Sequence, residues 1–211
     1  MLSLEIGDKM PYASDRTKEQ ILEYATKEFL EKGFSGANIR DIAKYAGVTT
    51  GAIYNHYNGK EGLFHELVGE TADTVIQMTI DAHKENDYEV ILRTMNSEER
   101  YNATTSKFID YMYDNWTSIK LLFDCAIGSE YENFIDEIIK IDEIATVNMY
   151  KKLYAEIDES TEFFLHVIAS ASIEQMVEIV KHNLKKDVAI NYMKKIYQFY
   201  SVGFKDMLQD N

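Results

Sequence analysis

The chain has one cysteine, Cys125, and one proline, Pro11. A single cysteine excludes an internal disulfide and a thiolate metal cage. Cys125 sits among Leu121, Leu122, Phe123, Ala126 and Ile127, the setting of a small buried hydrophobe rather than a redox switch. Past Pro11 every residue keeps its backbone N–H, so nothing forbids long helices. Sustained alternation of β-branched residues is missing, which argues against strands. No stretch approaches the roughly 20 uncharged apolar residues that span a bilayer. Residues Met1 to Pro11 lack the basic start and apolar run of a signal peptide. A cytoplasmic protein with a frayed N-terminal tail and no membrane partner is expected. Basic residues are also scarce: 22 Lys and Arg stand against 36 Asp and Glu, a net charge of −14. Taken whole, that balance argues against nucleic acid.

The distribution of charge reverses that inference. Residues 66–211 carry a net −13 and residues 1–65 only −1. Within residues 33–60 only Asp41 opposes Arg40, Lys44 and Lys60, a net of +2. The acid lies away from the one segment suited to phosphate. An acidic body also discourages indiscriminate binding along a duplex, which phosphate neutralisation drives.

Helical periodicity recurs along the chain. Ile21, Leu22, Ala25, Phe29 and Leu30 form one apolar face of a helix from Asp15 to Lys32, with Gly33 as its left-handed cap. A short second helix starts at Asn38, whose side chain is expected to accept from the N–H of Asp41, and ends at Gly47. A third starts at Thr49 or Thr50. A fourth starts at Asn58, with Glu61 completing a capping box, and runs to about His83. Residues 86–100 are polar and irregular, with a short helical segment at Val90 to Leu92. Further helices are expected over 97–115, 117–127, 130–157, 160–185 and 187–208. The fold class is all-α, with nine or ten helices.

Residues Asn38 to Tyr57 carry the strongest local signal. Two short helices flank a glycine turn: Ala43 is small where they cross, and Gly47 supplies the positive φ of the turn. Val48 and Ile53 are apolar pegs, and Ile39 and Ile42 anchor the first helix. This spacing forms a helix-turn-helix, which places its second helix in the DNA major groove. The outward residues of that helix are Thr49, Thr50, Tyr54 and Asn55; Asn pairs bidentately with adenine and Thr contacts bases or thymine methyls. Gly51 and Ala52 let the backbone approach closely, and Arg40, Lys44 and Lys60 flank the face and suit phosphate. From spacing alone, an ordinary helical hairpin with a solvated polar face also fits.

The stretch Lys18–Val68 resembles the DNA-binding domain of the TetR family of bacterial transcriptional regulators. The resemblance rests on Ile21-Leu22, Ala25, Phe29, Gly33-Phe34, Ile39, Ile42-Ala43, Ala46-Gly47-Val48, Ile53-Tyr54, Tyr57, Lys60-Glu61 and Leu63. It implies an N-terminal three-helix DNA-binding domain, residues 1–65, joined to a larger helical effector-binding and dimerisation domain, residues 66–211. By position, Arg40, Thr49, Thr50, Gly51, Tyr54, Asn55 and Lys60 match DNA-contacting residues. Tyr54 and Lys60 would hold phosphates, and Thr50, Gly51 and Asn55 would face bases. Asn38 stands where threonine is frequent and joins the DNA-binding set. His56 matches an aromatic or histidine position and is read as a phosphate contact. Gly62 replaces a larger residue and is expected to loosen the start of the fourth helix. The resemblance further implies a homodimer on a palindromic operator, released by a small-molecule effector, with the fourth helix as the only covalent route between domains.

The remaining residues are less specific. The last helix carries Ile190, Met193, Tyr197, Tyr200, Phe204 and Leu208 on one stripe, and the helix before it is apolar on more than one face. Phe164, Ile168, Met176, Tyr197, Tyr200 and Phe204 are the expected dimer contacts. Met112, Trp116, Phe123 and His166 are candidate effector-pocket residues, although plain core packing fits each of them. Abundant acid and aromatics would suit a cationic, lipophilic effector. No catalytic constellation is found among the five histidines, and no phosphate loop or nucleophile elbow. Glu178 and His182, at i and i+4, read as a surface ion pair rather than metal ligands. No enzyme activity, metal or cofactor is expected. The alternatives are a non-enzymatic helical interaction protein and an activator of the same fold.

Overall fold

The computed structural model of this chain describes residues 13–85, 96, 99, 101–102, 105–153 and 157–209. Among them are nine helices and no strand: α1 (Ala13–Gly36), α2 (Ile39–Tyr45), α3 (Thr50–Tyr57), α4 (Lys60–Glu85), α5 (Ser106–Asp114), α6 (Trp116–Asp124), α7 (Phe134–Leu153), α8 (Glu159–Lys181) and α9 (Lys186–Gln209). The expected all-α class holds. The expected N-terminal tail and the segment at Val90 to Leu92 lie outside the described residues.

Gly33 interrupts α1 with φ 68° and ψ 169°, as its position after the last apolar residue predicts, and Phe34 to Gly36 add a separate turn. Ile21, Ala25 and Phe29 are fully buried. Phe29 and Phe34 stack at 5.8 Å between ring centres, and both meet the Phe64 ring edge-on at 5.1 and 5.2 Å. That aromatic knot fixes the end of α1 to the start of α4.

Helix α4 is the spine. Its buried residues Leu63, Phe64, Val68, Ala72 and Val75 form one stripe. Its packing partners are α1, α3, α6 and α7. The hydrophobic core runs without a break from Ile21 and Phe29 through Phe64 and Ile119 to Val177 and Met193.

A second connection joins the two halves of the chain. The Phe34 N–H donates to the Cys125 carbonyl at 2.8 Å, and the Ser35 hydroxyl donates to the Ile127 carbonyl at 2.6 Å. The loop after α6 therefore sits on the end of α1. Helix α4 is the covalent link, but a non-covalent path lies beside it, one that sequence periodicity could not reveal. Cys125 is buried, and burial pushes its thiol up, with Asp124 adding to the effect and Lys120 opposing it.

Asp158 caps helix α8, its carboxylate accepting the Thr161 N–H at 2.7 Å; hydrogen bonding from the Thr161 side chain, with this backbone bond, holds the carboxyl below its ordinary range. Helix α8 is long and apolar, and it packs Leu165, Ala169, Val177, Ile179 and Val180 inside the chain.

Candidate nucleic-acid interface

Asn38 precedes α2 in extended conformation and caps it. Its side-chain oxygen accepts from the Arg40 N–H at 2.9 Å, one residue earlier than the expected Asp41. Asp41 bonds instead to the Asn38 carbonyl at 3.0 Å. Glu28 locks this start to α1. Its buried carboxylate accepts the Asn38 N–H at 3.1 Å and the Lys32 ammonium at 2.8 Å, and Lys32 lies 3.5 Å from Asp41. The hydrogen bond to Glu28 raises the Lys32 pKa. Sequence reasoning missed Glu28 as an anchor. Its only signal was the i, i+4 pairing with Lys32, and a distant backbone partner leaves no mark in the sequence.

Between α2 and α3, Gly47 takes φ 69° and the Val48 N–H reaches the Ala43 carbonyl at 2.9 Å. Ala43 and Ile53 are buried where the helices meet. Thr49 caps α3, its hydroxyl accepting the Ala52 N–H at 3.2 Å. Ile53 and Tyr57 face the core. Burial, with Glu66 adding, pushes the Tyr57 hydroxyl pKa up.

The opposite face of α3 is polar and open. Thr49, Gly51, Asn55 and His56 are exposed, Thr50 is half-buried, and Tyr54 is 57% exposed. Positions 51 and 55, like 50 and 54, are one turn apart, so these side chains share a surface. Arg40 is exposed beside them, with no ion-pair partner among the described residues.

The glycines around α3 have different physical reasons. At Gly51 an added Cβ would meet only the Thr49 hydroxyl, at an ordinary 3.7 Å, so packing does not demand glycine there. A glycine in a helix is destabilising by roughly 0.5–1 kcal/mol relative to alanine. At Gly59, φ is 97° and a Cβ would lie 3.0 Å from the Tyr54 ring, so the ring rests on bare backbone. At Gly62 a Cβ would lie 1.5 Å from the Tyr57 carbonyl oxygen. Gly62 therefore does not loosen α4; it lets the end of α3 pack directly on α4. Asn58 is also not the N-cap of α4 as expected: it is the left-handed C-cap of α3, with φ 58°, a conformation that asparagine tolerates.

Lys60 is half-buried, and its ammonium donates to the carbonyls of Phe34 at 2.8 Å and Ala37 at 3.3 Å. It belongs to the edge of the face but is engaged within the chain.

The other expected residues have separate neighbours. Met112 and Phe123 are buried in the core, Trp116 stacks on Tyr113 at 4.9 Å, and His166 is exposed with its Nδ1 3.1 Å from Glu143. Phe164, Ile168 and Met176 are half-buried on α8. Tyr197 pairs its hydroxyl with Thr105, and Tyr200 accepts from the Gln175 amide at 2.8 Å. The side chain of Phe204 lies outside the described residues. Among the described side chains of α8 and α9, the most exposed apolar ones are Phe163 at 68%, Phe199 at 75% and Val202 at 70%. Of the histidines, His182 does pair with Glu178, at 3.2 Å, as spacing implied.

This architecture, a capped helix-turn-helix packed on a long fourth helix and followed by a helical body, defines a class: helix-turn-helix regulators of the TetR type. Residues 21–67 match the model of the bacterial regulatory proteins, tetR family. Over 150 residues the chain is 34% identical to the HTH-type transcriptional repressor AcnR of Corynebacterium efficiens, covering 66% of this chain and 69% of that protein. The chain belongs to the TetR family of bacterial regulators. Other relatives match over less of their length. The chain covers 50% of AcnR from Corynebacterium glutamicum at 32% identity, and 25% of the repressor BepR of Brucella suis at 45% identity. A transcriptional regulator structure from Aquifex aeolicus shares the fold, with a TM-score of 0.54 at 21% identity, covering 87% of this chain and 99% of that one.

Proposed function

We propose that this protein is an operator-binding transcriptional regulator that acts as a homodimer in the bacterial cytoplasm and releases DNA when a small-molecule effector binds its helical body. The observation that carries this reading is the open polar face of α3. Thr49, Thr50, Tyr54 and Asn55 line it, and Gly51 stands where the fold needs no glycine. A backbone left bare at a stability cost makes sense where a groove must come close. In this reading Thr50, Gly51 and Asn55 face bases, while Asn38, Arg40, Thr49, Tyr54 and His56 engage the backbone of double-stranded operator DNA. Asn55 supplies the bidentate contact. Repression is favoured over activation because relatives of this chain carry the name repressor.

The dimer is supported by apolar residues left open on the last two helices. Phe163 and Val167 are one turn apart on α8, and Phe199 and Val202 share a face of α9. Two recognition helices about 34–36 Å apart would then enter successive major grooves. An effector that prefers another spacing shifts the equilibrium by its differential affinity, typically about 1–3 kcal/mol. The shift would travel along α4 and through the contact of the Cys125–Gly128 loop with the end of α1. Met112, Trp116, Phe123 and His166 remain the candidate effector contacts.

A gel shift on the DNA immediately upstream of the protein's own gene tests the reading. Saturable retardation that survives excess unrelated duplex is expected, and loss of the shift to unrelated competitor at equal concentration would overturn it.

A further inference from the structure

Lys60 opens α4, and its ammonium has three donors. Two are used inside the chain, on the Phe34 carbonyl at 2.8 Å and the Ala37 carbonyl at 3.3 Å, while the nitrogen lies 4.3 Å from the centre of the Phe34 ring. Both carbonyls belong to the end of α1 and the turn after it, where helical partners run out. The charge is thus already solvated by protein: two carbonyl dipoles and an aromatic face.

Residue 34 is held from the other side as well. Its N–H donates to the Cys125 carbonyl at 2.8 Å, and the neighbouring Ser35 hydroxyl donates to the Ile127 carbonyl at 2.6 Å. Gly128 closes the same corner, since a Cβ there would fall 2.2 Å from the Ser35 oxygen at φ 88°. The peptide groups flanking one residue therefore tie the first turn of α4 to the loop between α6 and α7.

We propose that Lys60 is a positioning residue of the DNA-binding face, not one of its phosphate contacts, and that it shares its anchor at Phe34–Ser35 with the Cys125–Gly128 loop. The inference rests on the DNA-binding reading above. It assigns to a lysine that sequence resemblance placed on phosphate the different task of holding α4 against α1. It also places the helical body one hydrogen bond away from that task.

The salt dependence of operator binding separates the two roles. Each lysine that neutralises a phosphate contributes about 0.9 to the slope of log K against log salt. Lys60→Met keeps an unbranched side chain and removes the charge. It is expected to weaken operator binding at least about tenfold, since both charged hydrogen bonds are lost. The slope should stay within about 0.3 of wild type, a third of one phosphate contact. A slope reduced by about 0.9 per lysine would overturn the proposal. Ser35→Ala should weaken binding about threefold, as expected for a neutral hydrogen bond, again with an unchanged slope. The double variant should lose less than the product of the single losses, because both residues hold one anchor. Independent losses would overturn the shared anchor. Should Lys60→Met fail to fold, Lys60→Arg and Ser35→Ala are combined in a thermal-unfolding cycle: coupled shifts support the anchor and independent shifts refute it. A wild-type protein that binds no duplex would remove the DNA-binding reading instead, and the same unfolding cycle would still decide the anchor.

Discussion

Two regions of the molecule differ in whether they leave large aliphatic and phenylalanine side chains open: α3 leaves none, α8 and α9 leave several. On α3 and its cap the open residues are Thr49, Gly51, Asn55 and His56 with one tyrosine, Tyr54; on α8 and α9 large apolar residues, Phe163, Val167, Val188, Phe199 and Val202, stand open among polar ones such as Glu162, His166 and Asn191. Both elements bury their other face properly, through Ile53 and Tyr57 at one end and Leu165, Ala169, Ala189 and Met193 at the other. Neither open face is therefore a by-product of poor packing. A polar face with a bare backbone suits a wet, hydrogen-bonding partner such as a base-pair edge. Exposed phenylalanine and valine are disfavoured in water and suit a dry one, which in the proposed reading is a second copy of the chain.

The largest effect is expected where the polar end is most tightly built. Gly62→Ala places a methyl group against the Tyr57 carbonyl, 1.5 Å away in the unaltered backbone, so α3 and α4 must separate. A loss of about 3 kcal/mol or more is expected, at the upper end for overpacking. Chemical denaturation checks it, and an unchanged midpoint would show that the contact gives way easily. At the apolar end, Phe199→Asp should split the dimer with helix content retained. Sedimentation should change from about 49 kDa, twice the 24.4 kDa chain, to the monomer. A variant that stays dimeric would move the interface off α9.

Two smaller changes sharpen the polar face. Asn55→Ala should relax base preference at one position of each half-site by about 1–3 kcal/mol. Titration against single-base operator variants reads this out, and an unchanged preference would assign the base contact elsewhere. Gly51→Ala should have effects of opposite sign. The fold gains up to about 1 kcal/mol in unfolding measurements, because the site has room and alanine favours helix. Operator affinity falls, because the added methyl stands between backbone and groove. A variant more stable and equally tight would leave Gly51 without a functional reason.

Much of this arrangement was legible in the sequence, for local reasons. Gly33 and Gly47 follow apolar periodicities that end, and both take positive φ as such ends require. Thr49 caps α3 because its hydroxyl reaches a backbone N–H three residues on, a relation contained in one turn. Misreadings came where two elements compete for a residue. Asn58 could start α4 or finish α3, and the left-handed finish prevails because Gly59 and Gly62 let α3 fold back directly onto α4. Contacts between distant segments left no trace: Glu28 on the Asn38 N–H, Lys60 on Phe34, Cys125 on Phe34. The apolar stripe on the last helix was visible, but the stripe alone does not say which side faces out. Tyr197 and Tyr200 bond within the chain, while Phe199 and Val202 point away.

The most direct measurement of the central claim is selection of duplexes by the intact protein from a random-sequence pool, followed by titration of the enriched duplex against a shuffled one. The α3 face, presented twice by the proposed dimer, predicts enrichment of a two-fold symmetric sequence, bound at least about 10³-fold more tightly than the shuffled duplex. Equal affinity for the two would contradict it.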